Sequence, residues 1–221
     1  MNVADALVSR YSVRAFRPDP IERGLLLEIM DSAIHAPSWA NTQPWEVFIA
    51  GGESLDRLRR AYTSRFDEGA PPDPELPVPK EWPPSLKQRI GELVATRFAA
   101  MGIERDNAAA VRASQRLNFE FFGAPAVAFP CLDRSLTPWS IFDMGSLSQS
   151  IMLSAREHGV GSVPAVILAA YPDLIRAELE IPKNLLILIG IALGYEDTAH
   201  PANKARSTRR PVQDVVRLKG L

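Results

Sequence analysis

Seven of the nineteen prolines in this chain fall between Pro71 and Pro84. Proline fixes its own φ and has no N–H to donate, so such density sustains neither a helix nor an interior strand. Residues 66–84 are therefore expected as an extended or mobile excursion, interrupted by Trp82, and regular structure must form on either side of it. Two readings of such a segment stand: a lid that chooses what enters a site, or a surface strap whose Trp82 fills a gap in an assembly.

Before the excursion, Val3 to Ser9 carries a short helical pattern. Ile21 to Ala36 carries a stronger one, with Leu25, Leu26, Ile29, Met30 and Ala33 on one apolar face, and Pro37 ends it. Trp45 to Ala50 is a strand candidate closed by Gly51-Gly52, and Ser54 to Ser64 returns to helix. After the excursion, helical patterns cover Ser85–Met101 and Asp106–Phe122, followed by a strand at Ala126–Leu132. A long helix from Ser140 to His158 ends at Gly159, a good left-handed cap. Ser162–Leu168 is expected extended, Pro172–Leu179 helical, and the apolar run Leu185–Leu193 a central strand. Helices alternating with few strands indicate an α+β or α/β class, with helix-rich connections around a small sheet. Beyond Tyr195 the tail is polar and has little core of its own. It reads as an arm that docks on a partner subunit or as a disordered tail.

The chain has 221 residues, enough for one substantial core with one excursion. Its formal charge of -1 carries no electrostatic footprint for nucleic acid or an anionic membrane, so any anion site must be a local concentration of charge. A single cysteine, Cys131, excludes an intrachain disulfide and sits in the apolar stretch Ala126–Leu132, where burial is its expected fate. The three histidines, His35, His158 and His200, have no metal-ligand spacing, so no metal site is expected. No signal peptide and no bilayer-length apolar run is visible, which predicts a cytoplasmic protein.

Two arginine clusters stand at opposite ends of the chain: Arg10-Tyr11-Ser12-Val13-Arg14, and Arg206-Ser207-Thr208-Arg209-Arg210. A guanidinium donates two parallel hydrogen bonds and stays charged, which suits phosphate. Between them, residues 36–45 (Ala-Pro-Ser-Trp-Ala-Asn-Thr-Gln-Pro-Trp) are rich in amides and hydroxyls that suit a polyol chain or a heteroaromatic ring. There is no triphosphate-binding glycine loop, no complete dinucleotide fingerprint and no nucleophile elbow. No carboxylate pair has a spacing that demands acid–base work, so in an enzyme a cofactor would carry the hard chemistry.

These residues resemble the flavin-dependent nitroreductase superfamily. The resemblance rests on Arg10–Arg14 followed by Pro37–Trp45, on Asp143-Met144-Gly145 with Gln149, on Gly159–Pro164, and on the ending from Gly194-Tyr195 to Arg209-Arg210-Pro211-Val212. It spans nearly the whole chain, with residues 66–104 matched least. It implies an α+β fold with a small, mainly antiparallel central sheet surrounded by helices. It also implies one FMN-binding domain over residues 1–221, with an excursion at about 66–104, a C-terminal arm at about 197–221, and a swapped-arm homodimer with FMN at the interface.

Carried over residue by residue, the resemblance implies cofactor contacts from Arg10, Tyr11, Ser12, Val13 and Arg14. It implies others from Pro37, Ser38 and Asn41, some supplied by the partner subunit, with Gln43 binding or bracing the loop. Arg209 matches the family's C-terminal phosphate-binding arginine, with Arg206 and Lys204 beside it. Trp39 and Ala40 are implied near the substrate. Val163, Pro164 and Ala165 match a segment whose main chain approaches the redox-active edge of the flavin ring. Arg116 and Asn118 match a segment that reaches the cofactor in some members. The implied activity is ping-pong reduction of nitroaromatic, quinone or related acceptors by NADH or NADPH. The alternatives are a reductive dehalogenase of the iodotyrosine deiodinase kind, though no tyrosine lies between Tyr62 and Tyr171 to complete that clamp, flavin destruction, or a flavin-binding protein without turnover.

Overall fold

The structure is a computed structural model in which residues 1–220 are described. Five strands make one antiparallel sheet: β1 (Glu46–Gly51), β2 (Ala126–Asp133), β3 (Gly161–Ala165), β4 (Leu185–Ile187) and β5 (Gly190–Gly194). The order is β1-β2-β5-β3, and β4 also pairs with β2. Strand β2 is central and apolar, and its residues alternate between two cores, as a pleated strand requires. Val127, Phe129 and Cys131 face Leu55, Leu58 and Tyr62 of α3 (Gly52–Asp67), Phe119 of α5 (Ala108–Phe119) and Ile175 of α7 (Pro172–Leu179). Ala126, Ala128 and Leu132 face Ile29 and Ala33 of α2 (Arg23–Ala33) and Met144, Leu147, Ile151 and Ala155 of α6 (Pro138–Glu157). Burial pushes the Cys131 thiol up to about 12, so it stays protonated and inert.

The run Leu185–Leu193 forms two strands instead of the one expected. Ile187 lies opposite Cys131 and Ile191 opposite Ala128, so three residues face two, a β-bulge. Pro130 sits at that point, and its carbonyl accepts from the Leu188 N–H at 3.1 Å. In an extended strand a residue's nitrogen and carbonyl point the same way. The missing N–H therefore faces the bulge, which is how an interior strand tolerates proline.

Other boundaries shift for similar local reasons. α1 (Val3–Ser9) and α7 match expectation. The helix expected over Ile21–Ala36 is ordered only as Arg23–Ala33, with Glu22 as its N-cap. The helix expected to reach Phe122 stops at Phe119, because Phe121 and Phe122 both adopt positive φ, turning their rings into the core. The segment after Ala165 tightens into a 3-10 turn over Val166–Ala169 instead of continuing extended.

The proline-rich segment has no regular structure over 70–83, and α4 (Pro84–Met101) follows it. It is tied down at two points. The Asp73 N–H donates to the Ala170 carbonyl at 2.8 Å. Glu75 accepts from the Ile187 N–H at 2.7 Å and from Arg176 at 2.6 Å, and also from Arg134. The strap reading fits this first half. Trp82 is half exposed. The tail also returns to its own chain: a turn at Pro201–Asn203 packs against α4, and α8 (Val212–Val215) follows, its valines exposed. Among the described residues no helix is long and apolar enough to cross a membrane.

Candidate functional site

The N-terminal arginine segment runs as an extra extended strip beside β3. Ser12 bridges Ser162 in parallel, and the Val13 N–H donates to the Ser162 carbonyl at 3.0 Å. The approach is close enough that a Cβ on Gly161 would lie 2.8 Å from Val13 Cγ2. Across the strip, Asn203 locks the tail in place. Its Oδ1 accepts from the Arg14 N–H at 2.7 Å, and its Nδ2 donates to the carbonyls of Ala15 (2.7 Å) and Asp197 (2.9 Å). Nothing in the sequence singled out Asn203, one amide in a polar tail.

This lock brings the two arginine clusters together. The Arg206 guanidinium lies 3.5 Å from the centre of the Tyr11 ring and donates to the Asn203 carbonyl. Arg10 is held below the usual arginine range, first by burial and then by the nearby charge of Arg209. Burial, and then Arg97 of α4, bring Arg14 down to about 10. Tyr11 is pushed up to about 12 by burial and by the neighbouring Glu196 carboxylate, partly offset by Arg206 and Arg156. Among the described residues, none of Arg10, Arg14, Arg97, Arg206 and Arg209 is ion-paired to a carboxylate. The buried Nε of Arg10 has no hydrogen-bond partner. Converging cations with an unsatisfied buried donor fit an anion with several acceptor oxygens. Arg97 was not anticipated either, since it lies on a helix with no buried residue.

Val163, Pro164 and Ala165 lie on β3 next to this strip, paired with Ala192, Ile191 and Gly190 of β5. The Val163 side chain is buried in the core, whereas Pro164 and Ala165 are half exposed. Arg116 and Asn118 are turned to other tasks. Arg116 pairs with Asp67 and Glu120, and the Asn118 amide donates to the Gln115 carbonyl at 2.7 Å.

The loop 37–43 forms a second station. Ala40, Asn41 and Gln43 all take positive φ, at 50°, 57° and 46°. For residues other than glycine that conformation is costly and needs bracing. The Ser38 hydroxyl accepts from the Gln43 N–H at 3.0 Å, and the Gln43 amide reaches the Asn41 carbonyl at 3.4 Å, so Gln43 braces the loop. The Trp39 N–H donates to the buried Asp143 carboxylate of α6 at 3.2 Å. Trp39 meets Trp139 edge to face at 6.1 Å. Together with Pro37, Ser38, Phe142 and Asp143, these two rings line an open cavity of about 480 Å³.

Both stations lean on α6, at different places. The loop is held by Asp143, and Arg10 Nη1 lies 3.9 Å from the sulfur of Met152. Nine residues separate these positions, about two and a half turns or 13 Å, which puts them on opposite flanks of the helix. Within one chain the arginine pocket and the amide loop therefore face apart.

The nitroreductase family model matches residues 7–195. The chain is 34% identical over 218 residues to a 4-nitrobenzoate reductase of Pseudomonas putida, covering 98% of this chain and 95% of that protein. It is 33% identical over 211 residues to nitroreductase NfnB of Mycolicibacterium smegmatis, covering 95% and 89%. Its structure superposes on that of an FMN- and NADPH-dependent nitroreductase NfnB from sphigopyxis sp. strain HMH with a TM-score of 0.95, at 32% identity and full coverage of both chains. The chain belongs to the nitroreductase family.

Proposed function

We propose that the protein is an FMN-dependent oxidoreductase that uses NADPH or NADH to reduce nitroaromatic, quinone or related acceptors, acting as a homodimer in the cytoplasm. One observation carries this reading: the two ends of the chain bring Arg10 and Arg209 together around a buried guanidinium nitrogen without a partner. Arg10, Ser12, Arg14, Arg206 and Arg209 would hold the phosphate and neighbouring polar groups. Tyr11, Val13 and the β3 main chain at Val163, Pro164 and Ala165 would flank the cofactor. Bound FMN supplies the electron exchange between donor and acceptor.

The chain's own contribution is position and charge. Arg14, half-buried and near Arg97, keeps positive charge where a reduced, anionic ring would need it. The loop carrying Pro37, Ser38, Asn41 and Gln43 faces away from its own arginine pocket, so the proposal draws it from a second copy. The swapped arm would be completed by the exposed Val212, Val215 and Val216. Trp39 and Ala40 would then border the acceptor, with the Trp39–Trp139 pair giving a flat aromatic substrate an apolar wall. Names of relatives that reduce 4-nitrobenzoate and other nitroaromatics support that acceptor class.

The test is anaerobic. Protein loaded with FMN should bleach on addition of NADPH or NADH and recover its colour with 4-nitrobenzoate or a quinone. Protein that retains no FMN after reconstitution, or that neither donor bleaches, would overturn the proposal.

A further inference from the structure

A second polar cleft lies beside the arginine pocket, between α4 and the returning tail. Its volume is about 370 Å³, and it is lined by Arg89, Ile90, Leu93 and Thr96 on the helix and by Arg206, Ser207 and Thr208 on the tail. The helix residues follow from 3.6-residue periodicity: positions 89, 93 and 96 share a stripe, with Ile90 at its edge. α4 buries no residue of its own, so packing alone does not account for this face.

The two walls differ in chemistry. Ile90 and Leu93 offer an apolar shelf. Arg89 and Arg206 bring two positive charges, and among the described residues neither is ion-paired to a carboxylate. The Ser207 hydroxyl accepts from Arg209 Nη1 at 2.8 Å, which leaves its own proton free to donate into the cleft. Glu92 also lines the cleft, its carboxylate accepting from Gln88 at 2.9 Å. A carboxylate there repels a diphosphate but accepts from an exocyclic amine or a ribose hydroxyl. An apolar shelf, one acceptor and two guanidinium groups describe a purine nucleoside carrying a phosphomonoester. Ser207 joins this cleft to Arg209 of the arginine pocket, so a ligand seated here lies next to the proposed cofactor.

We propose that this cleft is the seat of the 2′-phosphoadenosine end of NADPH, with Arg89 as the residue that selects NADPH over NADH. The inference rests on the FMN- and nicotinamide-dependent reading above and names the donor subsite of that reading. Arg89 reads the phosphomonoester, the Ser207 hydroxyl donates to it from the tail, Arg206 adds positive charge from the rim shared with the cofactor pocket, and Ile90 with Leu93 carries the adenine.

The test separates the subsite from the activity. Calorimetry on the FMN-loaded protein compares 2′,5′-ADP, 5′-ADP and inorganic phosphate. The expected order is 2′,5′-ADP tightest, about tenfold or more over 5′-ADP, with phosphate alone weak. R89Q should remove that preference and lower kcat/KM for NADPH about tenfold, with NADH turnover and FMN content within twofold of the parent. Equal affinity for the two adenosine phosphates, or the same kcat/KM change for both donors in R89Q, overturns the subsite. Retained 2′,5′-ADP selectivity in a protein that neither donor reduces would sink the oxidoreductase reading and leave the subsite standing.

Discussion

Replacing Asn203 with alanine removes three hydrogen bonds, two of which join the two ends of the chain. The side chain is 3% exposed, so the groups it leaves behind are also shielded from water. The Arg14 N–H loses its acceptor, while the Asp197 carbonyl keeps the His200 N–H at 3.2 Å and the Ala15 carbonyl keeps the Asp197 N–H at 3.1 Å. A buried polar group stripped of its partner costs about 1–3 kcal/mol, and with the Arg14 N–H as the one group orphaned, Asn203→Ala should cost about that much. Water entering the vacated space would pull the loss toward the lower figure. For a chain of this size that corresponds to a fall in Tm of about 5 °C. Asn203→Asp keeps the acceptor for Arg14 but sets a carboxylate against two carbonyl oxygens, so it should be at least as costly at neutral pH. Urea unfolding of the FMN-free protein measures the stability term. FMN titration measures the second consequence, because the same residue anchors Arg14 and Arg206; affinity should drop about tenfold, the equivalent of about 1.4 kcal/mol. A loss below about 1 kcal/mol with unchanged FMN affinity would refute the idea that this amide assembles the pocket.

The Glu75 latch should make stability acid-sensitive. Burial works to raise this carboxyl, but the Ile187 N–H, Arg176 and Arg134 outweigh it and hold it below its ordinary value of 4.5. A depressed carboxylate contributes stability that is complete above the unfolded-state value and is lost as pH falls through the folded one. Glu75→Gln should therefore cost about 2 kcal/mol at pH 7 in urea unfolding, with the gap to the parent closing below about pH 4.5; a gap constant from pH 7 to pH 3 would remove Glu75 as its source. Gly190→Ala would place a Cβ 2.4 Å from that of Leu168 and 3.3 Å from the Phe129 ring, and should cost 3 kcal/mol or more, by the roughly 1–3 typical of overpacking plus backbone crowding. Gly91→Ala, mid-helix in α4 with nothing within 4 Å, should instead stabilise by about 0.5–1 kcal/mol; thermal melts that fail to separate the two would count against the packing around Leu168.

What the sequence made legible were features whose cause is local. Helix α7 follows from Pro172 at its first turn and its apolar spacing, and Gly159 takes the left-handed conformation its place after α6 demands. β2 was readable because a strand buried on both faces must be apolar throughout. Where the expectation failed, the cause lay elsewhere in the chain. The break in Leu185–Leu193 answers to Pro130, more than fifty positions earlier, and a run of apolar residues cannot record what its neighbour strand lacks. Phe121 and Phe122 continue a helical pattern in composition but adopt positive φ because the core claims both rings. The strap's anchor, Glu75, is one carboxylate among twenty-six acidic residues, and only its position against Arg176, Arg134 and β4 distinguishes it.

The site divides along the same line. Arg10, Arg14, Arg206 and Arg209 stand out in the sequence as candidates because phosphate chemistry narrows the choice of side chain. Asn203 and Arg97, which set how those arginines meet, were not, since an amide and a helical arginine are consistent with any exposed surface. Geometry adds one relation that motif order cannot hold. The amide loop and the arginine pocket are both borne on α6, but nine residues on a 3.6-residue helix place them a half-turn apart. The loop carrying Ser38 and the Arg10 side chain of one chain thus meet α6 on opposite flanks, about 13 Å apart along its axis. If both segments serve one cofactor, that separation favours the site shared between two copies proposed above over one closed within a single chain.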